Sequence, residues 1–313
     1  MLAASFGLVM SNPITADAQI AYDRIVVFGT SLSDPGNGFA LTGTTSTPPY
    51  DSLDLFLTPD APYARGGHHL SNGATWVEQL ARSSALAASV RPAFRGNNAG
   101  ATNYAVARAR ARDVGESIDL SPQVQTFLVD VGGVAPSDAL YVIEMGSNDV
   151  RDALDPTNPD PFGTLGEALT SIANNIATLY AAGARNFLVW NVPNLAQSPA
   201  IQIADSVFPG TAEATTDATE AFNSGLKLIL EQQLPALLPG INLIQFDAYQ
   251  VTTDVAADPS AVGLTNVTDS CVTPLLPPFT CADPDEYLFW DGIHPTRAAH
   301  GIIAEAVALV LAE

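Results

Sequence analysis

The C-terminal stretch FWDGIHPTRAAH holds a carboxylate and an imidazole at a spacing that suits proton transfer. Asp291 and His294 lie three residues apart, and Pro295 follows. Because proline disfavours a helical conformation in the residue before it, we expect a tight turn that leads into a helix at Thr296. Asp291 can then bind one imidazole nitrogen and leave the other free to take a proton. The alternative is an ion pair that only caps the last helix.

Ser31 is the candidate nucleophile for such an imidazole. It lies in FGTSLSDPGN, where the apolar run Arg24 to Gly29 ends in a polar turn. A serine at the end of a buried strand is exposed at the ligand-binding edge of a sheet, and its hydroxyl needs a neighbouring base. The G-x-S-x-G elbow of ordinary α/β-hydrolases is absent. Ser33 is the competing nucleophile, although we expect it to be a helix N-cap.

A third polar turn, Gly146-Ser147-Asn148-Asp149, follows the apolar run Tyr141 to Met145. One interpretation is an Asx-turn, which is purely structural. The other is that the Asn148 amide donates a hydrogen bond to a developing oxyanion, an interaction that contributes about 3–4 kcal/mol when well aimed.

Short apolar runs alternate with amphipathic stretches along the chain. Runs without polar alternation are typical of strands buried on both faces, so the pattern predicts an α/β protein, with a parallel sheet between helices and one domain. The predicted strands are Arg24 to Gly29, Thr102 to Val106, Ala139 to Met145, Arg185 to Asn191 and Ile241 to Phe246. The predicted helices are Ala74 to Ala87, Ser121 to Val131, Leu165 to Ala182, Ala212 to Leu238 and Thr296 to Leu311.

Two segments rich in Pro, Thr and Asp, near 42–67 and 254–285, have the composition of loop insertions. Loops at the carboxyl ends of parallel strands shape ligand clefts, so we expect both segments to border a substrate cleft. The second segment contains Cys271 and Cys281, the two cysteines of the chain. In an exported protein two cysteines this close most simply form a disulfide; in the cytosol two free thiols are the better interpretation.

Charge and hydropathy exclude several functional classes. The 313 residues include 33 acidic and 12 basic side chains, which gives a net charge of −21. Such a chain has little to neutralise phosphates, so we expect no nucleic-acid partner. No stretch reaches the roughly 20 apolar residues of a transmembrane helix. The chain is long enough for one large core or for two modest domains.

Residues 1–18 have some features of a secretory signal peptide. The apolar run Leu2 to Met10 precedes Ala16-Asp17-Ala18, which has the small-x-small form of a signal-peptidase site. No positive charge precedes the run, so a disordered leader remains the alternative. We expect a secreted or periplasmic protein, with residues 19–313 forming the domain.

Taken together, these motifs resemble those of the SGNH hydrolases, also called GDSL esterases and lipases, and in particular the bacterial phospholipase, lecithinase and haemolysin-like branch. FGTSLSDPGN is similar to the first block of that family, which normally has aspartate where this chain has Thr30. The other similar stretches, in order, are SNGATWVEQLA, TNYAVARA, GSND and YLFWDGIHPT. Each motif is weakly specific, but their occurrence in this order is strong evidence.

The resemblance implies a three-layer α/β/α sandwich, flavodoxin-like, with about five parallel strands. It also implies ester hydrolysis through an acyl-serine, in which Ser31 attacks, His294 transfers the proton and Asp291 orients His294. The oxyanion would be bound by the backbone N–H of Ser31, the side chain of Asn148 and the backbone N–H of Arg108. No metal or cofactor is implied.

Two residues depart from the family pattern. Arg108 stands where the family has its oxyanion glycine, and an arginine there would be strained if the position required a positive φ. Thr30 removes a negative charge beside Ser31 but lies outside the proton relay. We therefore expect a secreted serine ester hydrolase acting on a small-molecule or lipid ester. The alternatives are a phospholipase or lysophospholipase, a carbohydrate O-acetyl esterase, and a catalytically weak binding protein with this fold.

Overall fold

Four parallel strands form the central sheet of the protein. A computed structural model describes residues 22–96 and 100–313, so the predicted leader at 1–18 lies outside the described residues. The strands are adjacent in chain order and each lies within one residue of its predicted bounds. They are β1 (Ile25–Gly29), β2 (Leu140–Glu144), β3 (Asn186–Trp190) and β4 (Asn242–Phe246).

The predicted strand Thr102 to Val106 is an irregular edge segment, so the sheet has four regular strands rather than about five. The segment runs beside β1, where Tyr104 N–H donates to Val27 O (2.8 Å) and Val106 N–H donates to Gly29 O (3.1 Å). The Asn103 side chain accepts a hydrogen bond from the Ala105 N–H, and this local bond competes with regular strand pairing.

Two short strands that the sequence patterns did not predict form a second parallel pair, β5 (Asn266–Ser270) and β6 (Tyr287–Phe289). They flank the cysteine-containing loop, in which the structure joins Cys271 and Cys281 in a disulfide. The predicted insertion at 254–285 is therefore partly regular, because it holds β5 as well as irregular chain. Periodicity gave little signal there, since four of the five residues 266–270 are polar and all five are half-buried or exposed.

Helices cover both faces of the sheet, as the three-layer prediction requires. The described helices are α1 (Asn37–Thr42), α2 (Trp76–Ser83), α3 (Leu120–Asp130), α4 (Ser147–Ala153), α5 (Pro161–Ala182), α6 (Pro199–Val207), α7 (Thr211–Leu228), α8 (Leu234–Leu237), α9 (Ala248–Ala257) and α10 (Arg297–Leu311). A π-helical turn, Ile229–Gln233, joins α7 to α8 within the single helix that the sequence predicted.

The two cores explain why the strands carry uninterrupted apolar runs. Val26 and Phe28 of β1 pack into the core formed with α3, α5 and α7. Ile25 and Val27 face the opposite core, which includes α2 and α10. Successive side chains of a strand point to opposite faces, so a strand between two helical layers must be apolar at every position.

Glu144, the last residue of β2, places a buried carboxyl group beneath the turn that follows β1. Its side chain accepts hydrogen bonds from the backbone N–H and the hydroxyl of Thr30, each at 3.0 Å. Burial raises the pKa of Glu144 to about 7, although the hydrogen bonds from Thr30 and Ser33 act to lower it. Thr30 and Glu144 thus bind the end of β1 to the end of β2.

This pKa predicts how stability varies with pH. Between about pH 4.5 and 7 the unfolded chain releases the Glu144 proton while the folded chain retains it, so the free energy of unfolding falls as pH rises, by about 3 kcal/mol from this group. We expect Glu144→Gln to remove most of that fall between pH 5 and pH 8, measured by urea unfolding. Glu167→Gln, at an exposed site on α5, is the matched control. Equal slopes in wild type and Glu144→Gln would contradict the prediction.

Candidate active site

Asp291 and His294 form a hydrogen-bonded pair in a tight turn before α10. The Asp291 Oδ2 atom lies 2.8 Å from Nδ1 of His294, and Oδ1 accepts the backbone N–H groups of Ile293 (2.9 Å) and His294 (2.8 Å). The turn enters α10 through Thr296, whose hydroxyl caps the helix by accepting the Ala299 N–H. The carboxylate is fully buried and binds Nδ1, so Nε2 is the ring nitrogen left to take a proton, and His294 lines the cavities that Ser31 borders.

Tyr63 is a third member of this cluster that the sequence motifs did not indicate. Its hydroxyl donates a hydrogen bond to Asp291 Oδ2 at 2.9 Å, across 228 residues of sequence. Burial and the neighbouring Asp291 raise the pKa of Tyr63 well above its usual value, so the phenol stays protonated and acts as a donor. Tyr63 belongs to the predicted insertion at 42–67, where nothing distinguishes it from Tyr50.

Ser31 lies at the end of β1, in the turn that Thr30 and Glu144 hold. Its side chain is half-buried and lines two cavities together with Asn148 and His294. Ser33 is fully buried, and its hydroxyl accepts the indole N–H of Trp76 at 3.0 Å. The expectation that Ser33 is a helix N-cap is wrong, because α1 begins at Asn37 after Gly36.

Asp34 connects the Ser31 turn to the chain segment that carries Arg108. Its buried carboxylate accepts backbone N–H groups of Gly36 (2.8 Å), Asn37 (2.5 Å) and Gly38 (3.0 Å) on one side, and of Ala107 (2.9 Å) on the other. Both segments are thereby held at the carboxyl end of the sheet.

Three residues that line one cavity, Ser31, Arg108 and Asn148, carry potential hydrogen-bond donors. No described residue accepts a hydrogen bond from the backbone N–H of Ser31 or of Arg108. One N–H of the Asn148 amide donates to Ala109 O at 2.9 Å, which orients the side chain and leaves its second N–H available. Unused N–H groups at the ligand edge of a sheet are well suited to stabilise an oxyanion.

The Gly146 to Asp149 stretch differs from the expected isolated turn. Gly146 adopts φ 119°, and the chain then enters α4 at Ser147. Asp149 is fully buried and accepts the Ala111 N–H at 2.8 Å, which binds α4 to the segment after Arg108. The sequence identified the functional candidate, Asn148, but not the helix, because seven residues give too little periodicity.

Arg108 has a positive φ of 66°, the conformation that glycine adopts most easily. A non-glycine residue held there costs about 1 kcal/mol or more of folding free energy. The backbone strain expected at Arg108 if its φ were positive is therefore present. The backbone N–H survives the change from glycine to arginine. The Arg108 side chain is exposed and lines one of the two cavities.

The two cavities share lining residues, among them Ser31, Asn148, Arg151 and His294, but differ in chemistry. The first, about 690 Å³, is lined mainly by apolar atoms, among them those of Trp190, Phe246, Val255 and Ile303. We call it the apolar cavity. The second, about 800 Å³, is lined by Arg108, Arg110, Arg151 and several carboxylates, and we call it the polar cleft.

Across 22–96 and 100–313, no group of three or more His, Cys, Asp or Glu side chains is arranged to hold a metal ion. None of the helices in those ranges is long and apolar enough to cross a membrane.

Comparisons with known proteins identify the family of the chain. Residues 25–307 match the family model described as GDSL-like Lipase/Acylhydrolase. One GDSL esterase/lipase of Arabidopsis thaliana is 27% identical over 97% of this chain and 89% of its own length. Another is 33% identical, but over 54% of this chain and 51% of its own length. A thermolabile hemolysin of Vibrio parahaemolyticus is 23% identical over 90% of this chain and 62% of its own.

A solved structure shares the fold at low sequence identity. A catalytic mutant of an acetylxylan esterase from Geobacillus stearothermophilus superposes with a TM-score of 0.51 at 14% identity, covering 94% of this chain and 96% of its own. Since the family model spans most of the chain, the family is established, and the enzyme interpretation prevails over that of a binding protein. The chain belongs to the GDSL-like lipase/acylhydrolase family and is a serine carboxylic ester hydrolase.

Proposed function

We propose that Ser31, His294 and Asp291 form the catalytic triad of this hydrolase and that the apolar cavity binds the acyl chain of its ester substrate. One observation carries the proposal: Ser31, Asn148 and His294 border the same apolar cavity, and His294 is bound to a buried carboxylate. Hydrolysis of an ester needs all of these parts, namely a nucleophile, an oriented base, an oxyanion donor and a place for the acyl group.

The proposed reaction has two steps. His294 Nε2 takes the Ser31 proton as Oγ attacks the ester carbonyl, and the oxyanion is bound by the N–H groups of Ser31, Arg108 and Asn148. The carbon–oxygen bond of the ester breaks, and the His294 proton passes to the leaving alcohol. Water, activated by His294, then hydrolyses the acyl-serine and releases the acid. Asp291 stabilises the imidazolium in both steps.

The size and chemistry of the apolar cavity support a medium or long acyl chain over an acetyl group. Its wall includes Trp190 and Phe246 from the ends of β3 and β4, Val255 from α9 and Ile303 from α10. Each methylene removed from water contributes about 0.8 kcal/mol, which is up to about fourfold in affinity. An acetyl ester would leave most of the cavity unused.

Export and domain organisation belong to the same proposal. The Cys271–Cys281 disulfide supports an oxidising compartment, and the small-x-small sequence ending at Ala18 supports a cleaved signal peptide. The family match over 25–307 supports one hydrolase domain at 19–313. We propose a secreted or periplasmic enzyme acting on a lipid or small-molecule ester.

The nucleophile is tested by alanine substitution. We expect Ser31→Ala to lower the kcat for p-nitrophenyl octanoate by at least about a thousandfold, because the acyl-enzyme cannot form. Ser33→Ala, at the competing serine, is the matched control and should lose far less activity. Circular dichroism melts verify that both variants fold. A folded Ser31→Ala variant with the wild-type kcat would contradict the proposed triad.

The acyl site is tested by a chain-length series. We expect kcat/KM to rise at least about a hundredfold from p-nitrophenyl acetate to the octanoate, since six further methylenes enter the apolar cavity. Ala204→Trp, on the wall formed by α6, should reduce the octanoate-to-acetate ratio by filling that space. Ala214→Trp, on the exposed face of α7, is the control. A maximum at acetate would favour the carbohydrate O-acetyl esterase instead.

Tyr63 is expected to position the triad without touching substrate. Tyr63→Phe removes one hydrogen bond to the buried Asp291 carboxylate, so we expect kcat to fall about tenfold while KM is little changed. Tyr50→Phe is the matched control, because Tyr50 packs edge-on against Tyr63 without hydrogen-bonding Asp291. Steady-state kinetics with the octanoate would distinguish them, and equal losses in both variants would show that the Tyr63 hydroxyl has no special role.

A further inference from the structure

Gln123, on α3, is a buried polar residue to which the proposed reaction gives no role. Its side chain is 0% exposed. Glutamine is mostly exposed in folded proteins, and when it is buried its amide oxygen and its NH2 group both need hydrogen-bond partners. The partners of Gln123 include backbone groups at the end of β1, next to the turn that carries Ser31.

The amide of Gln123 binds both backbone polar groups of Gly29, the last residue of β1. The Gly29 N–H donates to Oε1 at 2.9 Å, and Nε2 donates back to Gly29 O at 2.9 Å. Nε2 also donates to Ile118 O at 2.7 Å, so every polar atom of the amide has a partner. Contact at two points fixes both the position and the orientation of the strand end.

This contact interrupts the pairing of β1 with the irregular edge segment beside it. The Val27 N–H donates to Thr102 O at 2.9 Å, and the Tyr104 N–H donates to Val27 O at 2.8 Å. A regular parallel ladder would continue with the Gly29 N–H donating to Tyr104 O. Gln123 accepts that N–H instead, so a side-chain amide from α3 replaces a backbone carbonyl as the partner of the strand.

The same end of α3 also binds the other segment of the proposed oxyanion site. One turn earlier, at the N-cap of the helix, the buried Asp119 accepts the backbone N–H of Arg110 at 2.9 Å. Arg110 lies two residues after Arg108. Gly29 lies two residues before Ser31. The N-terminal part of α3 therefore holds both segments that supply backbone N–H groups to the proposed oxyanion site.

Two buried side chains bind the N–H groups that precede that of Ser31. Gln123 accepts the N–H of Gly29, and Glu144 accepts the N–H of Thr30 at 3.0 Å. The Ser31 N–H is the next along the chain, and no described residue accepts it. Its direction follows from the backbone before it, which is bound from α3 on one side and from β2 on the other.

We propose that Gln123 is a positioning residue for ester hydrolysis. By holding the end of β1 against α3, it fixes where the backbone N–H groups of Ser31 and Arg108 lie relative to each other. Donors stabilise an oxyanion best when they are in place before the charge develops, so this spacing matters most in the transition state. Gln123 lines neither cavity and acts only through the backbone. The inference rests on the proposed function, because it takes Ser31 as the nucleophile.

The role of the amide is tested by Gln123→Met, which keeps the length of the side chain but removes its hydrogen bonds to Gly29. We expect kcat for p-nitrophenyl octanoate to fall about a hundredfold with little change in KM, the order of loss for groups displaced by about 1 Å. Thr102→Val is the matched control. It removes buried hydrogen bonds to Ile25 O (2.7 Å) and Ser89 O (3.0 Å), at the opposite end of β1, and should keep the wild-type kcat.

An oxyanion analogue distinguishes positioning from a general loss of stability. With octylboronic acid, Ser31 Oγ bonds to boron, the hydroxyl proton passes to His294, and the tetrahedral boronate places an oxygen against the oxyanion donors. We expect Gln123→Met to raise the inhibition constant of this compound by about the factor by which kcat falls. The inhibition constant of 1-octanol, a neutral molecule with the same chain, should be unchanged. Urea unfolding verifies that each variant is folded in the assay.

Gln123→Glu is the conservative variant. Its carboxyl group keeps an acceptor for the Gly29 N–H, and burial favours the protonated form, which still donates one hydrogen bond. We expect its kcat and its boronate affinity to lie between those of wild type and Gln123→Met. If Gln123→Met does not fold, Gln123→Glu is compared with Thr102→Val by the same two measurements, and wild-type values in Gln123→Glu would then overturn the inference.

The outcomes separate this inference from the proposed function. Equal kinetic losses in Gln123→Met and Thr102→Val, or a lower kcat with unchanged boronate affinity, would show that Gln123 serves only the fold. The ester hydrolase mechanism would still stand if Ser31→Ala is inactive. Wild-type activity in Ser31→Ala would overturn the proposed function itself.

Discussion

Buried carboxylates that accept backbone N–H groups hold together the segments at the carboxyl edge of the sheet. Asp34 connects the segment after Ser31 to Ala107, Asp149 connects α4 to Ala111, and Asp291 shapes the turn that presents His294. A buried carboxylate without hydrogen bonds would cost several kcal/mol, so each one restricts the chain around it to the few conformations that supply donors. The acidic composition thus has structural as well as surface consequences.

These connections also explain how the donors of the proposed oxyanion site come to be unused. Asp34 and Asp149 take up the N–H groups on either side of Arg108, namely those of Ala107, Ala111 and Arg112, while the N–H of Arg108 itself finds no acceptor. The geometry is set before any substrate arrives, which is the condition for effective electrostatic stabilisation. The strained backbone at Arg108 is part of that arrangement.

The carboxyl group at position 144 compensates in part for the family departure at position 30. Thr30 donates both its hydroxyl and its N–H to Glu144, so an acidic group still lies beneath the turn that carries Ser31, although it comes from β2. The family resemblance showed that the usual aspartate is missing at position 30, but it did not indicate that Glu144 would lie beside Thr30. Glu144 follows four apolar residues of the strand and nothing in the local pattern marks it as a partner of Thr30.

The local sequence determined the four regular strands, the long helices and the candidates Ser31, Asn148, Asp291 and His294, because apolar runs, helical periodicity and short motifs depend on neighbours along the chain. Only the tertiary structure decided the partners of those residues. Tyr63 meets Asp291 across 228 residues, and Arg108 and Arg151 meet at one cleft from separate segments. Such contacts arise where the strand ends of a parallel sheet converge, and no pattern within one segment records which distant side chain will arrive there.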